Sequence, residues 1–443
     1  MGRRKAKQQG LWMSAEEVVK PAAHPYYSKL NEVLKQQDFD RKVERLCQRY
    51  YHEKLGRPSL APGVYFRMLL LGFLEGIEGE RGIAWRVADS LSMREFLGYS
   101  LTEATPDHSV VSRTRRLISV ETHRAVFRWL LWVLGAQGLL NGRGVGIDAT
   151  TLEANAAMRS IERRDDGRSY EEYLKHLAEA EGIEQPTREQ MVRLDRKRSK
   201  KASNKDWKSR TDADARIAKM KDGRTRLAHK AEHAVDLTSG AIVAVTLNAA
   251  DAGDTTTVKA TLAEARLNVE FMSERGLEEV VADKGYHSGA TLLELSDAAV
   301  RSYIPEPERG PRNWAGRGDE QAETYANRRR LRGNHGRELL KRRSELVERS
   351  FTHMYDTGGM RRTHLRGRAN ILKRLLIQAA AFNLALLLRV KYGMGKPRSG
   401  NAAQFDLLLA WTLLSALYAS CWRDVDARDN PENGPFNQPA FSS

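Results

Sequence analysis

Two short apolar segments, far apart in the chain, each carry a single carboxylate. Residues 280–282 (Val-Val-Ala) run into Asp283, and Gly285 follows closely. This pattern predicts a short buried strand that brings Asp283 to the rim of a sheet. Residues 144–147 (Gly-Val-Gly-Ile) carry Asp148 in the same way. Either acid, taken alone, is equally explained as a strand-end residue that caps the next segment.

The two acids together predict a different chemistry. Carboxylates on neighbouring strands repel each other unless a cation lies between them, and hard oxygen ligands suit Mg²⁺. Asp148 and Asp283 are therefore candidate ligands of a divalent metal ion.

A third carboxylate is expected on a helix predicted for residues 337–351. Glu348 follows Val347, which belongs to the apolar face of this helix, so Glu348 lies beside that face. Glu345 is the competing candidate. Basic residues four positions before and after Glu345 indicate ordinary surface ion pairs.

Composition limits the class of protein. The chain has 443 residues, a formal net charge of +16 and a pI near 9.8, which favours a polyanionic partner such as nucleic acid. Its two cysteines, Cys47 and Cys421, have no close-spaced Cys or His partners, so neither a disulfide framework nor a zinc site is expected. A reducing, cytoplasmic setting fits this usage. No Gly-rich nucleotide loop or nucleophile elbow points to an unrelated small-molecule enzyme.

No membrane partner is expected. The basic N-terminus, residues 1–7, is not followed by the apolar run of a secretory signal. The apolar stretch 407–422 is interrupted by hydroxyl residues and is shorter than the about 20 residues of a membrane span. A buried or docking helix is the preferred interpretation of 407–422.

Helical spacing of apolar residues dominates the first 140 residues. We predict an N-terminal helical extension over 1–54 and a helical DNA-binding domain over 55–140. Thr105-Pro106-Asp107 is a helix start signal, with Thr105 as the capping residue and Pro106 at the first helical position. The helix that follows carries basic residues suited either to a DNA groove or to the solvated face of a helical bundle. These are Arg113, Arg115 and Arg116.

An α/β domain is predicted over 141–392, with a highly charged insertion, about 155–223, interpreted as a helical arm. Trp207 lies among basic residues in this arm. Two interpretations stay open for it, namely stacking on an unpaired base and anchoring of the arm to the body. Residues 393–443 form a tail that contains the apolar helix.

The rest of the α/β domain alternates between strand and helix signals. A hairpin is predicted over 226–247, a helix over 254–271 and a helix capped near Ser288. Val300 to Ile304 follows as a strand, and 305–335 is predicted to be loop because it is rich in Pro, Gly and Arg. Together these elements predict an α/β fold with a mixed sheet of about five strands flanked by helices.

The order of these segments resembles the DDE transposases of bacterial insertion sequences. The resemblance covers most of residues 55–392 and includes the apolar helix 371–390. The resembling segments are 58–60, 105–109, the Asp148 strand, 212–216, 229–236, 282–286, 347–351, 358–362 and 366–367. It implies a ribonuclease H-like catalytic core behind a helical N-terminal domain.

The resemblance also implies a chemistry. Asp148, Asp283 and Glu348 take the places of the three acids, which would bind two Mg²⁺ ions, with Mn²⁺ as a substitute. The expected activity is cleavage of DNA at the element ends and strand transfer into target DNA, by a chain that pairs as a homodimer on two ends. Relatives carry a Lys after the catalytic Glu, where this chain has Tyr355 seven residues on.

Further residues are expected to hold DNA phosphates, with solvated surface charge as the alternative. These are Lys284, His287, Arg343, Arg361 and Arg362. Two other activities stay open. The chain is either a non-catalytic DNA-binding repressor of the same ancestry or a metal-dependent nuclease without strand transfer.

Overall fold

A computed structural model describes most of the chain. The described residues are 23–51, 59–140, 142–198, 202–273, 275–308, 310, 312–395 and 397. The basic N-terminus 1–7 and the apolar stretch 407–422 lie outside the described residues, and so does most of the predicted tail.

The described part of the chain before the sheet is helical, as the apolar spacing predicted, and it contains seven helices. They are α1 (Pro25–Gln36), α2 (Phe39–Cys47), α3 (Pro62–Leu74), α4 (Glu80–Asp89), α5 (Leu91–Leu97), α6 (His108–Leu117) and α7 (Val120–Ala136). A short 3-10 turn, Gln48–Tyr50, follows α2. Buried side chains of these helices form one hydrophobic cluster.

The start of α6 differs from the prediction. The helix begins at His108, and the side chain of Asp107 accepts a hydrogen bond from the Ser109 N–H at 2.7 Å. Asp107 is therefore the cap, and Thr105 and Pro106 lie before the helix. The reason is that a carboxylate two residues before a free helical N–H caps as well as a hydroxyl does.

The α/β part is built on a six-stranded sheet. Its strands are β1 (Gly144–Glu153), β4 (Arg216–Lys219), β5 (Thr225–Asp236), β6 (Ile242–Ala249), β7 (Glu279–Ala282) and β8 (Arg301–Tyr303). Strand β1 lies at the centre, antiparallel to β5 on one side and parallel to β7 on the other. Strand β5 also pairs with β4 and β6, and β7 also pairs with β8. This mixed sheet flanked by helices is a ribonuclease H-like fold, and it confirms the predicted fold class.

The predicted hairpin and the helices around it are confirmed. Gly240, with φ +78°, occupies the left-handed conformation that the turn between β5 and β6 requires. Helix α10 (Asp254–Glu270) follows β6. The Ser288 side chain accepts from the Thr291 N–H at 3.0 Å and caps α11 (Gly289–Asp297).

The two faces of the sheet are covered by different helices. Helices α10 and α11 cover one face through Ala234, Val258 and Leu292 of a shared apolar cluster. Helices α13 (Asn334–Phe351) and α14 (Arg368–Tyr392) cover the other face. Because side chains of a strand alternate between faces, neighbouring residues of β1 and β5 contact different helices.

Residues 305–335 were predicted to be loop, and this prediction is wrong for their second half. Helix α12 (Gly318–Arg332) occupies it. Polar contacts hold this helix, since the Asn327 side chain bonds both the N–H and the carbonyl oxygen of Ile304, at 3.1 and 2.8 Å. This helix therefore forms without a regular spacing of apolar residues. The lack of that spacing in the sequence is why a loop was predicted.

The charged insertion is an arm with its own core. Helices α8 (Tyr170–Ala180) and α9 (Arg188–Lys197) pack beside a small sheet of β2 (Ile161–Arg163) and β3 (Trp207–Ser209). The helical prediction is thus confirmed for α8 and α9 but incomplete. Strand β4, at the end of the predicted insertion, belongs to the main sheet.

Helix α14 is the longest apolar helix in the described part of the chain. By length and composition alone it could cross a membrane, but 83% of its apolar window is buried inside the protein. It packs against α3, α7 and β6. This burial is typical of the core helix of a folded domain.

Candidate active site

Asp148 and Asp283 each follow the last paired residue of two adjacent parallel strands, β1 and β7. Ile147 of β1 and Ala282 of β7 are register partners, so each acid immediately follows one member of this pair. Asp148 is half-buried within β1, whereas Asp283 is exposed just beyond β7. Each carboxylate accepts the next residue's N–H, at 2.8 Å for Asp148 and 2.7 Å for Asp283. The sheet topology thus brings together two acids 135 positions apart.

A buried arginine neutralises Asp148. The Arg343 guanidinium, on α13, lies 2.7 Å from a carboxylate oxygen of Asp148 and donates twice to the Ile147 carbonyl oxygen, at 3.1 Å each. Burial raises the pKa of Asp148, and the charge of Asp283 adds to this rise. Arg343 and the Ala149 N–H act in the opposite direction. The role predicted for Arg343, holding a DNA phosphate, is corrected, because its guanidinium is engaged inside the protein.

Glu348 lies on α13 directly after Val347, whose side chain approaches Gly146 of β1. Its carboxylate is exposed and has no hydrogen bond or ion pair with a described residue. Its assignment as the third acid stays a prediction.

The donor set partly fits a divalent metal ion. The Asp148 and Asp283 carboxylates are hard oxygen ligands at one rim of the sheet, which is the chemistry that Mg²⁺ prefers. Among the described residues, however, no three acidic, His or Cys side chains come close enough together to hold an ion. A third ligand to complete the two aspartates is therefore a matter of prediction, and Glu348 is the predicted one.

A cleft of about 560 Å³ lies beside the carboxyl-terminal part of β1, beginning two residues beyond Asp148. Thr150 and Thr151 lie on its floor, and Arg361 and Arg362 line one side. Arg361 donates to the Thr150 hydroxyl at 3.1 Å. Two other cations line this cleft and were not among the predicted residues, namely Lys221 and Arg226. They adjoin the tight turn between β4 and β5, for which Asp222-Gly223 was the available signal.

Three of the four cations in the cleft have acidic partners. Arg361 pairs with Asp356 at 2.8 Å, and Arg362 lies 3.7 Å from Glu153. Arg226 also pairs with Glu153. The predicted residues Arg361 and Arg362 thus line the cleft, but their charges are partly compensated.

The basic residues of α6 divide into two groups. Arg113 and Arg116 are exposed, as a DNA-contacting face requires. Arg115 is buried and bonds Glu80 of α4 at 2.6 Å. The DNA-binding prediction for Arg115 is therefore corrected to a structural ion pair between two helices.

Two further predicted DNA contacts are buried. Trp207 is 2% exposed and packs against Tyr170 and Tyr173, so its ring is closed to an unpaired base and the base-stacking interpretation is wrong. Its cluster includes Leu227 of β5, which agrees with the anchoring interpretation. His287 is 0% exposed and is inaccessible to a DNA phosphate. Lys284, beside Asp283, is exposed, and its predicted role stays open.

Two families of known proteins match the chain. Residues 14–117 match the family described as a transposase domain (DUF772), and residues 186–384 match the family described as a transposase DDE domain. The second match includes Asp283 and Glu348 and begins after Asp148. No curated protein matches the chain.

The two matched ranges agree with the two parts of the fold, and the second range includes Asp283 at the rim of the sheet. They correspond to the helical N-terminal part and to the ribonuclease H-like part, and together they span well over half of the chain. The chain belongs to the DDE transposases of insertion-sequence type.

Proposed function

We propose that this transposase cuts DNA at the ends of its element and joins the freed ends to target DNA. The observation that carries the proposal is that Asp148 and Asp283 each directly follow the last register pair of the parallel strands β1 and β7, in a chain of this family. A protein that only binds DNA gains nothing from two carboxylates at such a rim, because they repel the phosphate backbone.

The family acts on DNA and generally uses divalent metal ions. We propose that Asp148, Asp283 and Glu348 hold two Mg²⁺ ions, or Mn²⁺, which when bound lower the pKa of the attacking water and neutralise the departing 3′ oxygen. Asp148 would supply a ligand from β1, Asp283 one from the turn after β7 and Glu348 one from α13. No side-chain nucleophile is required.

The protein's own cations orient the DNA. Arg361, Arg362 and Lys221 line the cleft beside β1 and are proposed to contact phosphates next to the cut. Lys284 follows Asp283 and is proposed to do the same on the other side of the site. Arg113 and Arg116 of α6 are proposed to bind the terminal repeats, and two chains would pair the two ends.

The test uses a supercoiled plasmid that carries this gene with its native flanking DNA, incubated with the purified protein and Mg²⁺ or Mn²⁺. Wild type is compared with Asp148→Ala, Asp283→Ala and Glu348→Ala. Glu345→Ala is the matched control, since Glu345 lies one turn away on the same helix and pairs with Arg349. We expect metal-dependent cuts at the element ends, lost in the first three variants and kept in the control.

The outcomes separate the alternatives. Cut ends that never become joined to other DNA would favour a nuclease without strand transfer. Binding of the ends by wild type without cleavage in either metal would contradict the proposal and favour a non-catalytic DNA-binding protein. Loss of activity in Glu345→Ala but not in Glu348→Ala would move the third acid to Glu345.

A further inference from the structure

Strand β5 carries none of the three acids. Two consecutive residues of β5 nevertheless contact the elements that carry them, namely β1, the turn at Asp283 and the end of α13. In the antiparallel register of β1 and β5, His233 is the partner of Asp148 and Glu232 is the partner of Ala149. Both side chains are fully buried. As neighbours on one strand they project to opposite faces of the sheet. We call these two residues the Glu232–His233 pair.

Glu232 fixes the turn that carries Asp283. Its carboxylate accepts the Tyr286 hydroxyl at 2.9 Å and the Thr257 hydroxyl of α10 at 2.8 Å, and it also accepts the Thr261 hydroxyl. Tyr286 is three residues beyond Asp283 in the 3-10 turn Lys284–Tyr286, and its N–H donates to the Asp283 carbonyl oxygen at 3.0 Å. The turn therefore cannot move without breaking a buried hydrogen bond to a carboxylate.

His233 fixes the end of the helix that carries Glu348. Its Nδ1 is 2.9 Å from the Ser350 hydroxyl, and its Nε2 is 2.6 Å from the Tyr355 hydroxyl. Ser350 is two residues beyond Glu348 on α13. Tyr355 belongs to the π-helical turn Thr352–Thr357 that follows α13. A π-helical turn widens a helix end locally and often occurs at functional sites.

The hydrogen bonds determine which nitrogen of His233 carries the proton. The Ser350 hydroxyl donates to the Val347 carbonyl oxygen at 2.7 Å, so it accepts from His233, whose Nδ1 must be the N–H. Nε2 is then the acceptor, and the Tyr355 hydroxyl donates to it. Burial lowers the pKa of His233 to about 3, which keeps the ring neutral in this arrangement.

We propose that the Glu232–His233 pair sets the relative positions of the three acids through Tyr286 and Tyr355. Glu232 and His233 are positioning residues that touch neither the metal nor the DNA. The inference rests on the proposed function only in taking Glu348 as the third acid. Its physical basis is that groups behind metal ligands fix their geometry, and that a misplacement of about 1 Å can cost 10²-fold in rate.

The test removes one hydroxyl at a time. Tyr286→Phe and Tyr355→Phe each delete one bond to the Glu232–His233 pair and keep the aromatic ring in place. Tyr65→Phe is the matched control, because the Tyr65 hydroxyl is also buried and bonds a buried histidine, His123, at 2.9 Å, but within the N-terminal helices. Mn²⁺ affinity of the full chain is measured from the resonance signal of free Mn²⁺, and plasmid cleavage is measured against Mg²⁺ concentration.

We expect Tyr286→Phe and Tyr355→Phe to weaken Mn²⁺ binding roughly tenfold and to raise the Mg²⁺ needed for half-maximal cleavage by a similar factor. Tyr65→Phe should change neither. The His233→Asn, Tyr355→Phe double variant should be no worse than His233→Asn alone, because His233→Asn already removes the bond to Tyr355. Thermal midpoints measured in parallel show whether the three Tyr variants are equally stable.

The inference is overturned if the two site variants bind Mn²⁺ as Tyr65→Phe does, or if wild type binds no Mn²⁺. If wild type binds Mn²⁺ with the expected order of variants but cuts no DNA, the proposed function fails and the positioning role stands.

Discussion

The negative charge of Asp148 is balanced by one buried cation, Arg343. Arg343 is 9% exposed and lies between the Ile147 carbonyl oxygen and the Asp148 carboxylate. An arginine in a run of basic residues is normally solvated, and the sequence offered no sign of its burial. The helical position of Arg343, one turn before Val347, is what turns it toward the sheet.

Replacing Arg343 tests this position. We expect Arg343→Met to lower the free energy of unfolding by about 1–3 kcal/mol, because it leaves a half-buried carboxylate without its partner. Arg342→Met is the control, since Arg342 is exposed and has no ion pair with a described residue. Urea unfolding measures both, and equal effects would contradict the structural role of Arg343.

A second prediction concerns pH. His123 is buried between the Tyr65 hydroxyl and the Ser119 carbonyl oxygen, and burial lowers its pKa to about 3. In the unfolded chain a histidine protonates near pH 6.5, so the unfolded state gains stability as the pH falls below that value. The stability that His123 provides is therefore complete above pH 6.5 and is lost toward pH 3.

The measurement is the difference in unfolding free energy between wild type and His123→Gln at several pH values. We expect the advantage of wild type to shrink by about 1.4 kcal/mol per pH unit below pH 6.5. His176 of α8 is exposed, so His176→Gln should show no such trend. A constant difference for His123→Gln would show that its ring is not held neutral.

At the scale of elements, the arm has a hydrophobic core although its sequence is highly charged. Trp207, Ile161, Ala154, Ala215 and Leu227 form its buried cluster, with partly buried tyrosines around it. These residues are spread over more than 70 positions among charged residues. Their spacing has no helical or strand period from which the core could be predicted. The arm is a packed unit rather than an extended charged rod.

Removing the central aromatic ring should disrupt this unit. We expect Trp207→Ala to destabilise the arm by about 3–5 kcal/mol, as for large aromatic residues in other cores, and to speed tryptic cleavage within residues 155–215. Trp207→Phe should be milder. Trp85→Ala is the control, because Trp85 is 68% exposed.

A different result would restore the earlier interpretation. If Trp207→Ala left the arm resistant to trypsin but lowered affinity for single-stranded DNA, Trp207 would be a base-stacking residue after all.

At the scale of the whole molecule, one hydrophobic cluster joins the N-terminal helices to the sheet. It includes buried residues of α1 to α7, of β5 and β6, and of α14. Two buried polar contacts cross the same boundary, from Lys373 to the Arg115 carbonyl oxygen and from Arg374 to the Ile77 carbonyl oxygen, each at 2.9 Å. The boundary predicted near residue 140 separates two architectures that share this core.

Unfolding should therefore be cooperative across that boundary. We expect thermal unfolding of the full chain, followed by circular dichroism and by tryptophan fluorescence, to give coincident transitions. A chain without residues 1–140 should fail to fold, because α14 would expose the apolar face that packs on α3 and α7. Two separate transitions, or a folded fragment, would contradict a shared core.

The sequence by itself determined the elements whose signals are local. Periodicity and turn residues predicted the helical N-terminal part, the β5–β6 hairpin, α10 and the strands that carry Asp148 and Asp283. Each depends on residues within one segment, such as Gly240 in its turn or Ser288 at its cap. The candidate acids were found because a single carboxylate in an apolar strand is conspicuous.

Tertiary structure alone decided which charged side chains are accessible. Arg115 and Arg343 lie in basic segments that a local pattern predicts to be solvated, yet both are buried, and so are Trp207 and His287. Helix α12 depends on a distant polar bond in the same way. The bond from Tyr286 to Glu232 joins residues 54 positions apart, and the bond between Tyr355 and His233 joins residues 122 positions apart. Burial and such pairing arise from how elements pack, and no local pattern encodes them.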